Sequence, residues 1–118
     1  MTRKINIETT KMPQRFKDSL NKALQYIEQT ALAGIKQVVL FGSLARSEIT
    51  CHSDIDLCVI FDESSDLHSK DCALFKSKLR DISDINIDVV CCLESTFALS
   101  NERLYQHIRD EGVLLLTT

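Results

Sequence analysis

The sequence predicts a small α/β (α+β) domain, a mixed central β-sheet flanked by helices. Three observations carry that expectation. Segments with a helical period alternate with short β-branched runs along the chain. The connection between the first two apolar runs, Gly42 to Ser53, is too short for a full parallel crossover, so the sheet should be mixed rather than all parallel. The length, 118 residues, sets a single domain as the expectation, with a core over about 13–116 and residues 1–12 as a flexible lead-in.

The elements follow in order. Phe16, Leu20, Leu24, Ile27 and Ala31 recur at steps of three or four, which predicts a helix over 13–33. Pro13 suits its first turn and Gly34 its C-terminal cap. "KQVVLF", Lys36 to Phe41, reads as a buried strand that Gly42 and Ser43 break. "LARSE" then suits a short helix beginning at or near Ser43. "DIDLCVIF", Asp54 to Phe61, is a second strand, followed by a polar connection from Asp62 to Asp71. Leu74, Phe75, Leu79 and Ile82 fall on one side of a further helix. "INIDVVCCL", Ile85 to Leu93, is a third strand. Ser95 suits the cap of a last helix through Phe97, Leu104, Tyr105 and Ile108, ending near Gly112. "GVLLL" closes as a short strand or a docked tail.

Composition narrows the function. A net charge of -3 offers no bulk attraction for nucleic acid or a membrane surface. No apolar run approaches the ~18 residues of a membrane span, and the N-terminus lacks the apolar stretch of a signal peptide. The five cysteines, Cys51, Cys58, Cys72, Cys91 and Cys92, are odd in number and include no CxxC pair, which argues against a disulfide framework or a zinc site. Free thiols suit a reducing cytoplasm, and that is the expected location. His52, His68 and His107 show no metal spacing, and there is no Walker A sequence.

The chemistry sits in carboxylates placed where valines belong. Residues i and i+2 of a strand point the same way, so Asp54 and Asp56 project from one face. Two ionised carboxylates close together and half-desolvated oppose each other's charge. Protonation, a basic partner or a metal cation relieves them. Asp88 interrupts the third strand between Ile87 and Val89, and stands beside the pair if the two strands are neighbours. Three carboxylates suit a hard ion such as Mg²⁺ or Mn²⁺. Gly42 permits close approach by a ligand, and a helix starting at Ser43 turns free N–H groups toward phosphate. Plainer alternatives stand beside each: Asp88 as an edge-strand charge, Ser43 as a helix cap, Arg46 as a structural ion pair.

"GSLARSEITCHSDIDL" resembles the signature of the DNA polymerase β-like nucleotidyltransferase superfamily: Gly-Ser, about ten residues, Asp-x-Asp, and a third Asp on a later strand. Ten residues separate Ser43 from Asp54 here. The chain is most similar to the minimal nucleotidyltransferases, from roughly residue 15 to "EGVLLL". The resemblance implies that Gly42 and Ser43 bind triphosphate, and that Asp54, Asp56 and Asp88 are the catalytic and metal-binding residues. Arg46 and Ser53 match positions that would contact the nucleotide. One departure is Ser47, where a glycine often follows the arginine; a positive φ there would strain it.

What the resemblance implies further is a reaction. With Mg²⁺ or Mn²⁺, an acceptor hydroxyl attacks the α-phosphate of a nucleoside triphosphate, ATP foremost, and pyrophosphate leaves. The chain is short for a separate acceptor-recognition domain. A small helical partner, or a second subunit of a homo-oligomer, is therefore expected to supply the acceptor. In this family such pairs are commonly antitoxin and toxin, with a tyrosine of the toxin as acceptor. The alternatives are a non-catalytic module that binds nucleotide or neutralises its partner by contact, and transfer to a small molecule such as an aminoglycoside.

Overall fold

The computed structural model describes residues 2–30, 34–65 and 69–118. In chain order the elements are β1 (Thr2–Arg3), a 3-10 turn (Ile7–Thr9), α1 (Gln14–Gln29), β2 (Ile35–Phe41), α2 (Gly42–Ala45) and β3 (Ile55–Phe61). Then come α3 (Ser69–Asp81), β4 (Ile87–Leu93), α4 (Glu94–Leu99), α5 (Arg103–Glu111) and β5 (Val113–Thr117). The strands form one mixed sheet in the order β1-β5-β2-β3-β4. β2 runs antiparallel to both β3 and β5, and β3 runs parallel to β4. The short β2–β3 connection thus makes an antiparallel pair, while α3 supplies the longer crossover that a parallel pair requires.

Side-chain alternation divides the core into two. Ile55, Leu57, Val59 and Phe61 of β3 join Phe16, Leu20 and Leu24 of α1 and Phe75 and Leu79 of α3 in the larger cluster. Each such side chain contributes roughly 1.5–3 kcal/mol when fully buried. The intervening positions, Cys58 and Ile60, face the other way. They pack with Val39, Cys92 and Ile108, and Phe41, Phe97, Tyr105 and Leu114 close around them. β3 is therefore covered on both faces along most of its length, and Asp56 is the polar exception within it.

Several expectations need correction. α1 ends at Gln29, with Thr30 as its cap; Pro13 takes the N-cap position instead of the first turn. Ala31 lies outside the described residues, and so does His68. Leu74 points outward at 62% exposure, so α3 buries Phe75 and Leu79 alone of the expected stripe, with Ile82 just past its end. The single helix expected after β4 is two helices. Ser100 breaks it, and its hydroxyl accepts from the Glu102 N–H, a local bond that competes with the helical ladder. Ser95 lies inside α4, where its N–H meets the Glu63 carboxylate, and does not cap. The expected flexible lead-in is built into the fold. Thr2 and Arg3 pair with β5, and Ile7 and Met12 are buried. No sequence period marks so short an edge strand.

Candidate functional site

The antiparallel register pairs Phe41 with Asp56, and the parallel register pairs Asp56 with Asp88. The end of β2 and the starts of β3 and β4 therefore meet at one end of the sheet's strands. Gly42 follows Phe41 with φ +75, and a Cβ there would lie 2.2 Å from Asp56 Oδ2. Gly42 thus serves two needs at once: a left-handed backbone and room for the carboxylate. Asp54 stands just before β3 and is half-buried. Asp88 is exposed and sits on an edge strand, yet it is the direct neighbour of Asp56.

Electrostatics set Asp56 apart. Its carboxyl is pushed up to about 6, by partial burial first, then by the charges of Asp88 and Asp54; Arg46 opposes the rise. Asp88 and Asp54 are therefore both close enough to act on Asp56. Among the described residues, no three His, Cys, Asp or Glu side chains are already gathered as ligands of an ion. The donor set nonetheless fits a hard divalent cation: it is oxygen only, and the charges of Asp88 and Asp54 oppose that of Asp56, which a cation would relieve. Asp54, Asp56 and Asp88 are the residues that could hold it.

The Gly42–Ser43 turn opens α2, near Ser43 as expected. α2 has only four residues, so its dipole is slight. What it offers an anion is the unsatisfied N–H groups of a first turn. Ser43 is half-buried, and its hydroxyl makes no hydrogen bond among the described residues. Arg46 caps α2; its Nε donates to Glu48 at 3.2 Å and its Nη1 to Glu111 at 3.3 Å. Ser53 occupies the turn before Asp54, where its Oγ accepts from the Thr50 N–H at 2.8 Å. Arg15 ties the same loop to α1 by donating to the Cys51 carbonyl at 3.0 Å. Ser47 does adopt a positive φ, +60, and is alone among the described non-glycine residues in doing so. The departure at that position is therefore a strained serine.

Sequence reasoning did not find Glu48 or Glu111. Glu111 lies 65 residues from Arg46, and no local spacing links them. The i, i+4 pair of His107 and Glu111 on one helix face is the only trace it leaves.

The family model described as "Polymerase beta, Nucleotidyltransferase" matches residues 21–118. This chain belongs to that family. No curated relative matches it. Solved structures share the nucleotidyltransferase fold at low identity. A crystal structure of a toxin–antitoxin with AMP-PNP is 22% identical, at a TM-score of 0.60 over 86% of this chain and 73% of that one. A Sulfolobus solfataricus protein described as a nucleotidyltransferase is 16% identical, at 0.58 over 92% of each chain. A structure of the tri-AMPylated Shewanella oneidensis HEPN toxin in complex with MNT antitoxin is 20% identical, at 0.56 over 85% of this chain and 73% of that one. No helix among the described residues is long and apolar enough to cross a membrane.

Proposed function

We propose that this nucleotidyltransferase-family protein moves a nucleoside monophosphate, AMP from ATP, onto a hydroxyl, and that the acceptor is a tyrosine of a small helical toxin for which it is the antitoxin. The observation that carries the reading is the junction of Gly42 with Asp56. The N–H groups of a first turn and three carboxylates converge where the end of β2 meets the starts of β3 and β4, with Gly42 leaving room for the Asp56 carboxylate. The toxin–antitoxin structures, one with AMP-PNP and one with an AMPylated HEPN toxin, support the nucleotide and the partner.

Gly42 and Ser43 would receive the triphosphate through backbone N–H groups and the Ser43 hydroxyl. Asp54, Asp56 and Asp88 would hold Mg²⁺ or Mn²⁺. Such ions supply charge neutralisation at phosphate and a lowered pKa of the acceptor hydroxyl. Asp88, the most exposed of the three, would accept the acceptor's proton. The acceptor oxygen bonds to the α-phosphorus as the bond to the β-phosphate oxygen breaks, and pyrophosphate carries away that electron pair. The rate would come mainly from positioning and charge compensation.

The test is incubation with ATP labelled at the α-phosphate, Mg²⁺ and the protein's genomic neighbour. Label should pass to the neighbour, and Asp54→Ala or Asp88→Ala should abolish the transfer. A tight complex without transfer, insensitive to both substitutions, would establish a contact-only antitoxin instead.

A further inference from the structure

The ion pairs of Arg46 are not explained by stability. The Arg46 and Glu111 side chains are 40% and 37% exposed, a setting in which a pair adds little to folding. Glu48 is more exposed still. The two glutamates nevertheless reach the same guanidinium from different parts of the chain.

Glu111 is held firmly where it stands. It is the last residue of α5, which is anchored on the sheet by buried Ile108. Gly112 follows, and a Cβ there would meet the Ile108 carbonyl at 2.3 Å and Val39 Cγ1 at 2.5 Å. The chain thus leaves the helix pressed against β2, and the Gly112 N–H bonds the Ile108 carbonyl at 2.9 Å. The second Glu111 oxygen faces His107 Nδ1 at 3.9 Å. Arg46 sits four residues from Gly42, and its charge already acts on Asp56. A guanidinium has five N–H donors. Two are taken by the glutamates, which leaves three for an anion among the described residues.

We propose that Glu111 is a positioning residue: through the Arg46 ion pair, α5 holds the guanidinium beside the Gly42–Ser43 turn, preorganised to receive the nucleotide's triphosphate. The inference rests on the reading that this turn takes the triphosphate. An arginine held in place loses less side-chain freedom on binding than one that must be captured from solvent. Its effect is on phosphate affinity, not on the fold and not on the adenosine portion.

Calorimetric binding of ATP with Mg²⁺, and separately of AMP, tests it on the full chain. Glu111→Ala should weaken ATP binding by roughly three- to tenfold, the range of the ordering cost of one flexible side chain. AMP affinity and the melting temperature should hardly change. In transfer assays KM for ATP should rise while kcat holds. Glu111→Asp should keep part of the effect, and Glu111→Ala should add nothing in an Arg46→Ala background. Unchanged or tighter ATP binding by Glu111→Ala overturns the proposal. So does equal loss of ATP and AMP, or a loss that persists without Arg46. If the unmodified chain binds no ATP at all, the triphosphate reading itself fails, and this inference with it.

Discussion

Replacing Asp56 by asparagine should stabilise the protein and abolish its proposed activity together. Asparagine has nearly the same shape, so it fits the space that Gly42 leaves. It removes the charge that partial burial, Asp88 and Asp54 all oppose. The carboxyl moves from its ordinary 3.8 to about 6 in the folded state. At about 1.4 kcal/mol per pH unit, that corresponds to about 3 kcal/mol of destabilisation once the group is ionised. Asp56 is only partly buried, so solvent screening reduces this to about 1–2 kcal/mol. The sign follows from linkage: the folded state holds the proton more tightly than the unfolded state. The penalty is therefore absent below pH ~4, grows between ~4 and ~6, and is complete above ~6. Thermal melts of the two proteins, without divalent ions, should differ by roughly 4–8 °C at pH 8 and converge near pH 4. Mg²⁺ should then stabilise the parent more than the variant. A difference that is the same at both pH values, or a variant less stable at pH 8, would refute the account of Asp56.

Two further substitutions probe the segment from Gly42 to Ser47. Gly42→Ala should cost about 2–3 kcal/mol in urea unfolding, from the left-handed backbone and the overlap with Asp56. Adding Asp56→Ala should return only the part due to overlap, since the backbone cost remains. Ser47→Gly should stabilise the chain by about 0.5–1 kcal/mol, because relief at φ +60 exceeds the added freedom of the unfolded glycine. A destabilised Ser47→Gly would mean that the serine side chain contributes more than its backbone strain costs.

Much of this site is legible in the chain because its parts are local. Gly42 and Ser43 end one apolar run, and Asp54 and Asp56 begin the next, so two strand ends joined by a short connection must bring them close. The mixed sheet follows from the same short connection. Asp88 is legible too, as an acid inside a β-branched run, and the parallel pairing of β3 with β4 decides that it stands beside Asp56. The elements that escape are those without a period. β1 is two residues long and exists only because β5 offers it an edge. The break at Ser100 goes with side-chain hydrogen bonds that the helical pattern does not announce: the Ser100 hydroxyl accepts from the Glu102 N–H, and Arg109 donates to the Phe97 and Ser100 carbonyls.

The residues alone thus determine the alternating elements, the Asp54–Asp56 pair and the Gly42–Ser43 turn. Those rest on side-chain period and on spacings of a dozen residues or fewer, which local backbone geometry converts directly into position. Tertiary structure decides the rest. It raises Asp56 through neighbours drawn from two strands and through partial burial, neither of which exists in an extended chain. It also brings Glu111 to Arg46 across 65 residues, by docking α5 through Ile108 and turning the chain at Gly112. Charge and burial act through space, so the groups that tune this site need not be near it in sequence.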